Sequence, residues 1–200
     1  MWEGIVIKAY GYYRQARNAS WQCLLDVGIT SLPVKTLKIA EHFGIRVLKN
    51  SQVGCLAPDE SGCSVVNKRG EWTIVYNDNE PQERVRYTIA HELGHILLGH
   101  ELRAGFGHYR KAGGERKPIE ETQADEFAAR VLAPACVLWA LDLHTAEEIS
   151  EVCRISYTAA KHRAERMEIL YARNKFLTSP LERRVFEQFT PWIGQQKKRI

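Results

Sequence analysis

One stretch of sequence constrains this chain more than any other: RYTIAHELGHILLGH, from Arg86 to His100. It predicts a helix with apolar residues on nearly every side, and a helix of that kind belongs in a protein core. Three histidines and a glutamate interrupt the apolar residues. Burying an unpaired ionisable group costs on the order of several kcal/mol, so a partner, a shifted pKa or a metal ion has to compensate.

The pattern H-E-x-x-H in this stretch is typical of a metal site. It sets His91 and His95 one helical turn apart, so both imidazoles can approach one zinc ion at roughly 2.0–2.1 Å. Glu92 lies at the edge of the same face. Because catalytic zinc commonly takes three protein ligands and one water molecule, the two imidazoles predict a third ligand elsewhere in the chain.

A second helix, bounded by prolines and spanning residues 118–134, supplies that ligand. Its apolar stripe, extended backwards, reaches Glu121 but not Glu120, and Asp125 lies one turn after Glu121. Two histidines and a glutamate are a known catalytic zinc set, so we predict Glu121 as the third ligand. We predict that Asp125 accepts the second ring N–H of His91 and so orients that ligand. The stripe consists of Ala124, Phe127, Ala128, Val131 and Leu132.

Two other interpretations of the histidines were weighed. Core histidines bonded to backbone carbonyls, with Glu92 on a solvated edge, explain a lone histidine well but not four ionisable groups that converge from two apolar helices. A longer zinc motif would place a third histidine ten residues after His91. Here His100 misses that position by one residue, and a continuous helix would turn it away from His91, so we predict a helix-end residue.

A zinc ion with an open fourth position predicts metal-assisted hydrolysis. Such an ion lowers the pKa of bound water to about 7 and polarises a carbonyl group. Glu92 is the predicted catalytic base, which takes a proton from water and passes it to the leaving amine. The sequence leaves the oxyanion donor open. The candidates are Tyr109 and His108 in a basic, glycine-rich loop, and His144, Tyr157 and His162 in the C-terminal helices.

The two helices resemble those of the ImmA/IrrE family of metallopeptidases. RYTIAHELGHILLGH resembles the family pattern R-F-T-x-A-H-E-L-G-H, and EETQADEFAARVLAP resembles E-x-E-A-[DN]-x-F-A-x-x-L-L-x-P. The upstream SLPVKTLKIAEHFGIRV also fits, so the resemblance covers roughly residues 16–170. The chain departs from the pattern at Gln123, where the family often has an acidic residue, and at Ala133, where methionine is usual.

This resemblance implies both a site and a substrate. It implies a gluzincin-like core of helices around a small sheet, with His91, His95 and Glu121 as zinc ligands and Glu92 as the catalytic base. It further implies a protein substrate, namely a helix-turn-helix transcriptional repressor. Cleavage of that repressor would release genes of a mobile element, a phage or a stress regulon.

Patterning along the chain predicts a mainly helical α+β fold with a zincin-like core, a small mixed sheet of about three strands and a C-terminal helical subdomain. Two hundred residues suffice for one compact core with an appendage. We predict a zinc peptidase core over residues 1–134 and a helical subdomain with a basic tail over residues 135–200. The predicted strands are 45–48, 64–66 and 72–76.

Several local expectations follow from spacing. Val34, Leu37, Ala40 and Phe43 form the predicted packing stripe of a helix that ends at Gly44. The strand at residues 72–76 alternates, which suits unequal faces and an exposed edge able to pair with a peptide, although an ordinary sheet strand is the simpler interpretation. Thr145 and Glu148 form a capping box, Ser156 caps the next helix, and the last helix is expected to end before Pro191.

Composition bears on location and partners. The chain is 44% hydrophobic and 26% charged, as expected for a soluble globular protein. Five cysteines without a C-x-x-C pair favour the cytoplasm over a disulfide framework, and we find neither a signal-peptide pattern nor a membrane-spanning run. A net charge of +4 indicates a solvated basic surface. We therefore expect a protein partner, with neither nucleic acid as a direct ligand nor a membrane.

Two alternative functions stay open at this stage. Residues 145–166 have two short helices, a turn and the basic residues Lys161 and Arg163, like the helix-turn-helix of a DNA-binding transcription regulator. The second alternative is a non-cleaving, zinc-stabilised anti-repressor that sequesters its repressor by binding alone. The DNA-binding pattern is weak, because Arg154 occupies the turn where glycine is frequent and few basic residues flank the segment. The sequence leaves the anti-repressor open.

Overall fold

The computed structural model describes residues 3–100 and 118–198, with side chains from Tyr13 onward within these ranges. None of the helices in the described part is long and apolar enough to cross a membrane. The described helices are α1 (Glu3–Asp26), α2 (Thr36–His42), α3 (Asn50–Val53), α4 (Gln82–Leu97), α5 (Ile119–Leu132), α6 (Ala135–Ala140), α7 (Ala146–Cys153), α8 (Tyr157–Ala172) and α9 (Pro180–Lys197). The described strands are β1 (Arg46–Lys49), β2 (Gly62–Val66) and β3 (Trp72–Tyr76). This mainly helical α+β fold with a small mixed sheet confirms the predicted fold class.

The chain forms two compact units. The first comprises the described residues within Met1–Ala19 and Thr36–Ala128, and the second those within Ser20–Lys35 and Ala129–Ile200. The sheet and the helix with the H-E-x-x-H pattern belong to the first unit. The proposed division into a core over residues 1–134 and a subdomain over residues 135–200 stays a prediction about which parts fold independently.

The sheet of the first unit has the strand order β1-β3-β2. β1 runs parallel to β3 and pairs Val47 with Ile74, whereas β2 runs antiparallel to β3 and pairs Ser64 with Ile74. β3 is therefore the central strand, and its three middle residues are all buried. The simpler interpretation, an ordinary sheet strand, is therefore confirmed. The alternative of an exposed edge is wrong, because threonine and valine suit a buried central strand as well as an exposed face.

α4 is the helix that holds the core of the first unit together. It packs against α2 and against β2 and β3, and Ile89, Ala90 and Leu93 are buried along it. Its end is a Schellman motif: Gly99 has φ 68°, its N–H bonds to Ile96 O, and the next N–H bonds to His95 O.

The predicted packing stripe of α2 is wrong in two positions. Leu37 is 58% exposed and Phe43 is 37% exposed, whereas Thr36, Ile39 and Ala40 are buried. Steps of three residues rotate by 60° around a helix, so a stripe spaced by three throughout drifts across half of the helix surface. The buried residues instead follow the spacing i, i+3, i+4, which keeps to one face.

α5 approaches α4 closely at Gly94. Every residue of the predicted stripe of α5 is at most 1% exposed. A Cβ atom at Gly94 would lie 3.1 Å from Ala124 Cα and 3.2 Å from both Ala124 O and Phe127 Cδ1. The absent side chain at Gly94 therefore lets the backbone of α5 approach α4.

The second unit is helical apart from its connections, and two caps confirm the sequence reading. Glu148 N–H donates to Thr145 Oγ1 while Glu148 accepts from Thr145 N–H, and Ala159 N–H donates to Ser156 Oγ. α7 and α8 pack against each other, and α6 packs against α9. A buried arginine also holds this unit together, since Arg163 Nε donates to Ala133 O at 2.8 Å.

The last helix does not end before Pro191, contrary to the prediction. α9 continues to Lys197 with Pro191 inside it. Val185, Phe189 and Ile193 are at most 6% exposed, so the buried stripe extends past the proline. Proline removes one backbone donor, which costs about 3 kcal/mol in a helix interior, and burial of the stripe on both sides offsets that loss.

Replacing Gly94 with alanine tests the close approach of α4 and α5. Because the added methyl group meets backbone atoms of α5, we expect Gly94→Ala to lower the free energy of unfolding by about 1–3 kcal/mol. Urea unfolding of the metal-free protein measures it. Gly194→Ala in α9 is the control, because no atom lies within 4 Å of its added Cβ, and it should be neutral or stabilising by up to about 1 kcal/mol. Equal effects of the two substitutions would contradict the close approach.

Candidate metal centre

Three side chains predicted as ligands converge in the first unit. Their candidate ligand atoms, from His91 and His95 on α4 and Glu121 on α5, all lie within 4.8 Å of one another. The two Nε2 atoms are 3.1 Å apart, and Glu121 oxygens lie 3.4 Å from His91 Nε2 and 3.2 Å from His95 Nε2. Ligands at roughly 2.0–2.1 Å from a tetrahedral cation lie about 3.4 Å from one another. The three residues therefore fit a divalent metal ion without rearrangement of the helices.

A carboxylate contacts His91 at the ring nitrogen that does not face the cluster. Its Nδ1 lies 2.9 Å from Asp125 Oδ1, the partner that the sequence assigns to it. Tyr87 Oη donates to the same oxygen at 2.9 Å. The contact with Asp125 leaves His91 Nε2 directed at the cluster. The sequence analysis does not predict the role of Tyr87, although its position one turn before His91 on α4 is a usable signal.

His95 is held by a second pair of residues that the sequence did not predict. His100 Nδ1 lies 3.0 Å from His95 Nδ1, and His100 Nε2 lies 3.0 Å from Gln123 Oε1. His100 is not among the clustered ligand atoms, as expected, but it does not simply end the helix. The prediction assumed a continuous helix, whereas α4 ends at Leu97 and the chain reverses at Gly99.

Glu92 is buried rather than at a solvated edge. It is 1% exposed, and Ser64 Oγ donates to its Oε2 at 2.7 Å. Ser64 is the middle residue of β2 and is 5% exposed. No sequence signal marks Ser64, because its contact with Glu92 depends on how β2 packs against α4. The sheet therefore holds the side chain that is the candidate base.

The electrostatics of the cluster follow from its hydrogen bonds. Burial alone would lower the pKa of His91, but its bonds with Asp125 and Glu121 and the nearby charge of Glu92 outweigh burial and raise that pKa to about 9. Burial raises the pKa of Glu121, but bonds with His91 and His95 more than offset it and hold that pKa well below its usual range. In the metal-free protein, a proton on His91 thus supplies the positive charge that a cation brings to this position.

The neighbouring groups stay neutral. Burial, followed by the charge and the hydrogen bond of Asp125, raises the pKa of Tyr87 far above its usual range, so its hydroxyl remains a donor. Burial is also the main reason why the pKa of His100 is lowered. Both residues therefore act on the two imidazoles as neutral hydrogen-bonding groups at neutral pH.

No observation in the described part of the structure tests the predicted oxyanion donors. Tyr109 and His108 are outside the described residues. His144 belongs to the second unit, where it is exposed, lies 2.9 Å from Asp142 and stacks on Tyr171. The assignment of an oxyanion donor stays a prediction for all three.

Comparison with known families gives one match. Residues 40–165 match the model described as peptidase M78, the IrrE N-terminal-like domain. This range covers more than half of the chain and contains the sheet, α4 and α5. A comparison with curated proteins finds no match.

Asp125→Asn tests the hydrogen bond that raises the pKa of His91. In the folded protein this pKa is about 9, against 6.5 for an unperturbed histidine. The stabilisation that protonated His91 gives the folded state is therefore fully present below about pH 6.5 and is lost as pH rises through 9. We therefore expect Asp125→Asn to destabilise the metal-free protein more at pH 7 than at pH 10.

Urea unfolding at the two pH values, after treatment with a chelator, measures the difference. The same substitution made in a His91→Leu background is the control and should show no such pH dependence. If Asp125→Asn costs as much at pH 10 as at pH 7 in the otherwise unchanged chain, the assigned contact does not govern the protonation of His91.

Proposed function

Because the chain belongs to the peptidase M78 family, with its IrrE N-terminal-like domain, we propose that it is a zinc-dependent endopeptidase that cleaves a helix-turn-helix repressor. The observation that carries the proposal is the cluster of His91, His95 and Glu121 on the same helix pair as the buried Glu92. A purely structural cluster would need no carboxylate beside the ligands in the position of a general base.

Zinc is the metal that suits this donor set best. Two imidazole nitrogens and one carboxylate oxygen are borderline-soft to hard donors, and catalytic zinc sites use this combination with a fourth position left for water or substrate. The described part of the chain offers three ligand atoms in the cluster and no fourth. When bound, zinc supplies Lewis acidity, which makes water a stronger acid and polarises a carbonyl group.

Glu92 carries out the proton transfer of the proposed reaction. Glu92 takes a proton from the attacking water at its carboxylate and delivers it to the nitrogen of the departing amine, so that one carboxylate serves as base and then as acid. Ser64 holds Glu92 Oε2 by a hydrogen bond and so restricts rotation of the carboxylate. Burial of Glu92 excludes bulk water, which strengthens its interactions with charge that develops during the reaction.

The ligands also need fixed orientations. His91 Nδ1 lies 2.9 Å from Asp125 Oδ1, and Tyr87 Oη donates to the same oxygen. Outer partners of this kind keep the ligand nitrogen aimed at the ion and increase its basicity. Asp125 and Tyr87 thus prepare His91 for a metal ion before one is bound.

The choice of substrate rests on the resemblance to the ImmA/IrrE family. Members of that family act on helix-turn-helix repressors of mobile elements, phages and stress regulons. We extend this to the present chain as a proposal: cleavage of such a repressor would release the genes that it silences. A repressor encoded beside this chain is the first substrate to test.

One structural observation weakens the DNA-binding alternative. Of the two basic residues on which that interpretation relied, Arg163 is 6% exposed and donates to Ala133 O, so it packs inside the second unit. The exposed basic residues of this helix, Lys161 and Arg166, are balanced by the exposed acidic residues Glu165 and Glu168. A recognition helix needs an excess of positive charge on its exposed face, which these residues do not provide.

Glu92→Gln separates cleavage from sequestration. Glutamine keeps the size of the side chain but does not accept the proton, so we expect one zinc ion per chain to be retained and cleavage of the repressor to fall by about 10²–10⁴-fold. Zinc content by elemental analysis and mass mapping of repressor fragments measure the two effects. Glu120→Gln is the matched control, since Glu120 is exposed on α5 beside the ligand Glu121, and it should cleave normally. If Glu92→Gln still derepresses the target genes as well as the unchanged chain, the protein is a sequestering anti-repressor.

A further inference from the structure

We propose that His100 and Gln123 are positioning residues of the metal centre, which set the ring tautomer of His95 through a relay of two hydrogen bonds. The proposal rests on the proposed function in one respect: it takes His95 Nε2 as a metal ligand. It assigns a role to two side chains that are not among the clustered ligand residues of the described structure.

The direction of the relay follows from what each atom can donate. Gln123 Oε1 only accepts, so the hydrogen in the 3.0 Å contact with His100 Nε2 sits on the histidine. In a neutral imidazole the other nitrogen then carries a lone pair. His100 Nδ1 must therefore accept, and His95 Nδ1 must donate, in the 3.0 Å contact between them. With an ion bound, this leaves the lone pair of His95 on Nε2 for that ion, and Nε2 is the atom that lies 3.2 Å from Glu121 Oε1 in the metal-free structure.

The reverse direction is incompatible with a metal ion. A donor from Gln123 to His100 Nε2 would put the hydrogen of His100 on Nδ1, and His95 Nδ1 would have to accept it. The hydrogen of neutral His95 would then sit on Nε2, where no lone pair would remain for an ion. A carbonyl acceptor at residue 123 is thus the group that commits His95 to the metal-binding tautomer.

The contact between His100 and His95 depends on how α4 ends. The N–H of His100 donates to His95 O at 3.1 Å, and Gly99 N–H donates to Ile96 O at 3.1 Å, which together close the Schellman motif. The left-handed φ of 68° at Gly99 turns the chain back, so the ring of His100 lies 5.0 Å from the ring of His95. The reversal of the chain after α4 therefore brings His100 into contact with His95, whereas a continuous helix would direct it elsewhere.

The two histidine ligands thus have different supports. His91 is backed by the carboxylate of Asp125, whereas His95 is backed by a neutral imidazole and a neutral amide. A neutral relay fixes orientation without a further negative charge beside Glu121. The metal centre consequently keeps one anionic ligand and one anionic outer partner, both on α5.

Two substitutions at His100 distinguish a hydrogen-bonding role from packing. His100→Leu keeps a side chain of substantial volume but removes the acceptor. His100→Asn is smaller, but its Oδ1 stands at the position of the lost Nδ1 and can accept from His95. If the relay operates, His100→Leu weakens zinc binding by about 10–100-fold, and His100→Asn binds zinc at least about tenfold more tightly than His100→Leu. A packing role predicts the opposite order.

The experiment uses the full chain and zinc alone. Zinc affinity is measured by competition with a chromogenic chelator, and the visible spectrum of the Co²⁺-substituted protein reports whether the ligand geometry changes. Urea unfolding of each metal-free variant shows that it folds. His42→Leu is the matched control, because His42 is an exposed histidine at the end of α2 in the same unit, and its zinc affinity should equal that of the unchanged chain.

A second pair of variants tests the other end of the relay. Gln123→Glu keeps an oxygen acceptor and should retain zinc affinity, whereas Gln123→Met removes the acceptor and should lose affinity as His100→Leu does. If the unchanged chain binds zinc and both His100 variants bind it equally tightly, the relay is wrong and the proposed function stands. If the unchanged chain binds no zinc, the proposed function itself is wrong.

Discussion

The approach of α4 to α5 is the constraint on which the rest of the site depends. The ligands come from both helices, so the Glu121 oxygens lie 3.2 and 3.4 Å from the imidazole nitrogens only if α5 approaches α4 closely. Gly94 permits this, because a Cβ atom there would lie only 3.1 Å from Ala124 Cα and 3.2 Å from Ala124 O, closer than ordinary van der Waals contact. A glycine inside the H-E-x-x-H pattern therefore has a packing role that is as necessary as the chemical role of the residues around it. Tight packing of this kind also limits how far a ligand can shift without strain.

The folded protein tolerates so many buried ionisable groups only because each of them has a partner. His91 and Glu121 form a mutually charged pair without metal, and Asp125 completes it on the outer side. Glu92 receives a hydrogen bond from the sheet, and His95 receives its support from the chain that follows α4. The supports thus come from a strand, from the second helix and from a helix end. Preorganisation of this kind is what metal-assisted hydrolysis requires, since ligands that are already oriented need not reorganise when the ion binds.

Periodicity explains what sequence reasoning could and could not predict. His91, His95 and Glu121 were predictable because spacing along a helix fixes which side chains share a face, and Asp125 followed from the same rule. His100 was correctly predicted to be a helix-end residue and not a ligand, but its contact with His95 was missed, because one left-handed residue after the helix cancels the geometry on which that rule depends. Contacts such as the one that Ser64 makes depend on packing between distant segments, about which local spacing carries no information.

The same difference between local spacing and packing of distant segments accounts for the errors in the predicted fold. The helix cap at Thr145 is local and was predicted, whereas the central position of β3 in its sheet depends on non-local strand pairing and was not. The helix through Pro191 continues because a buried stripe outweighs a local breaking signal. Local patterns therefore predicted the ligands and the elements that carry them, while tertiary packing decided sheet order, helix ends and outer partners.

The most direct test of the central claim is anomalous diffraction at the zinc absorption edge from crystals of the zinc-loaded chain. The account predicts one strong anomalous peak per chain, at roughly 2.0–2.1 Å from Nε2 of His91 and of His95 and from a carboxylate oxygen of Glu121. A zinc-loaded crystal with no peak between these three side chains, or with its only peak at other residues, would contradict it.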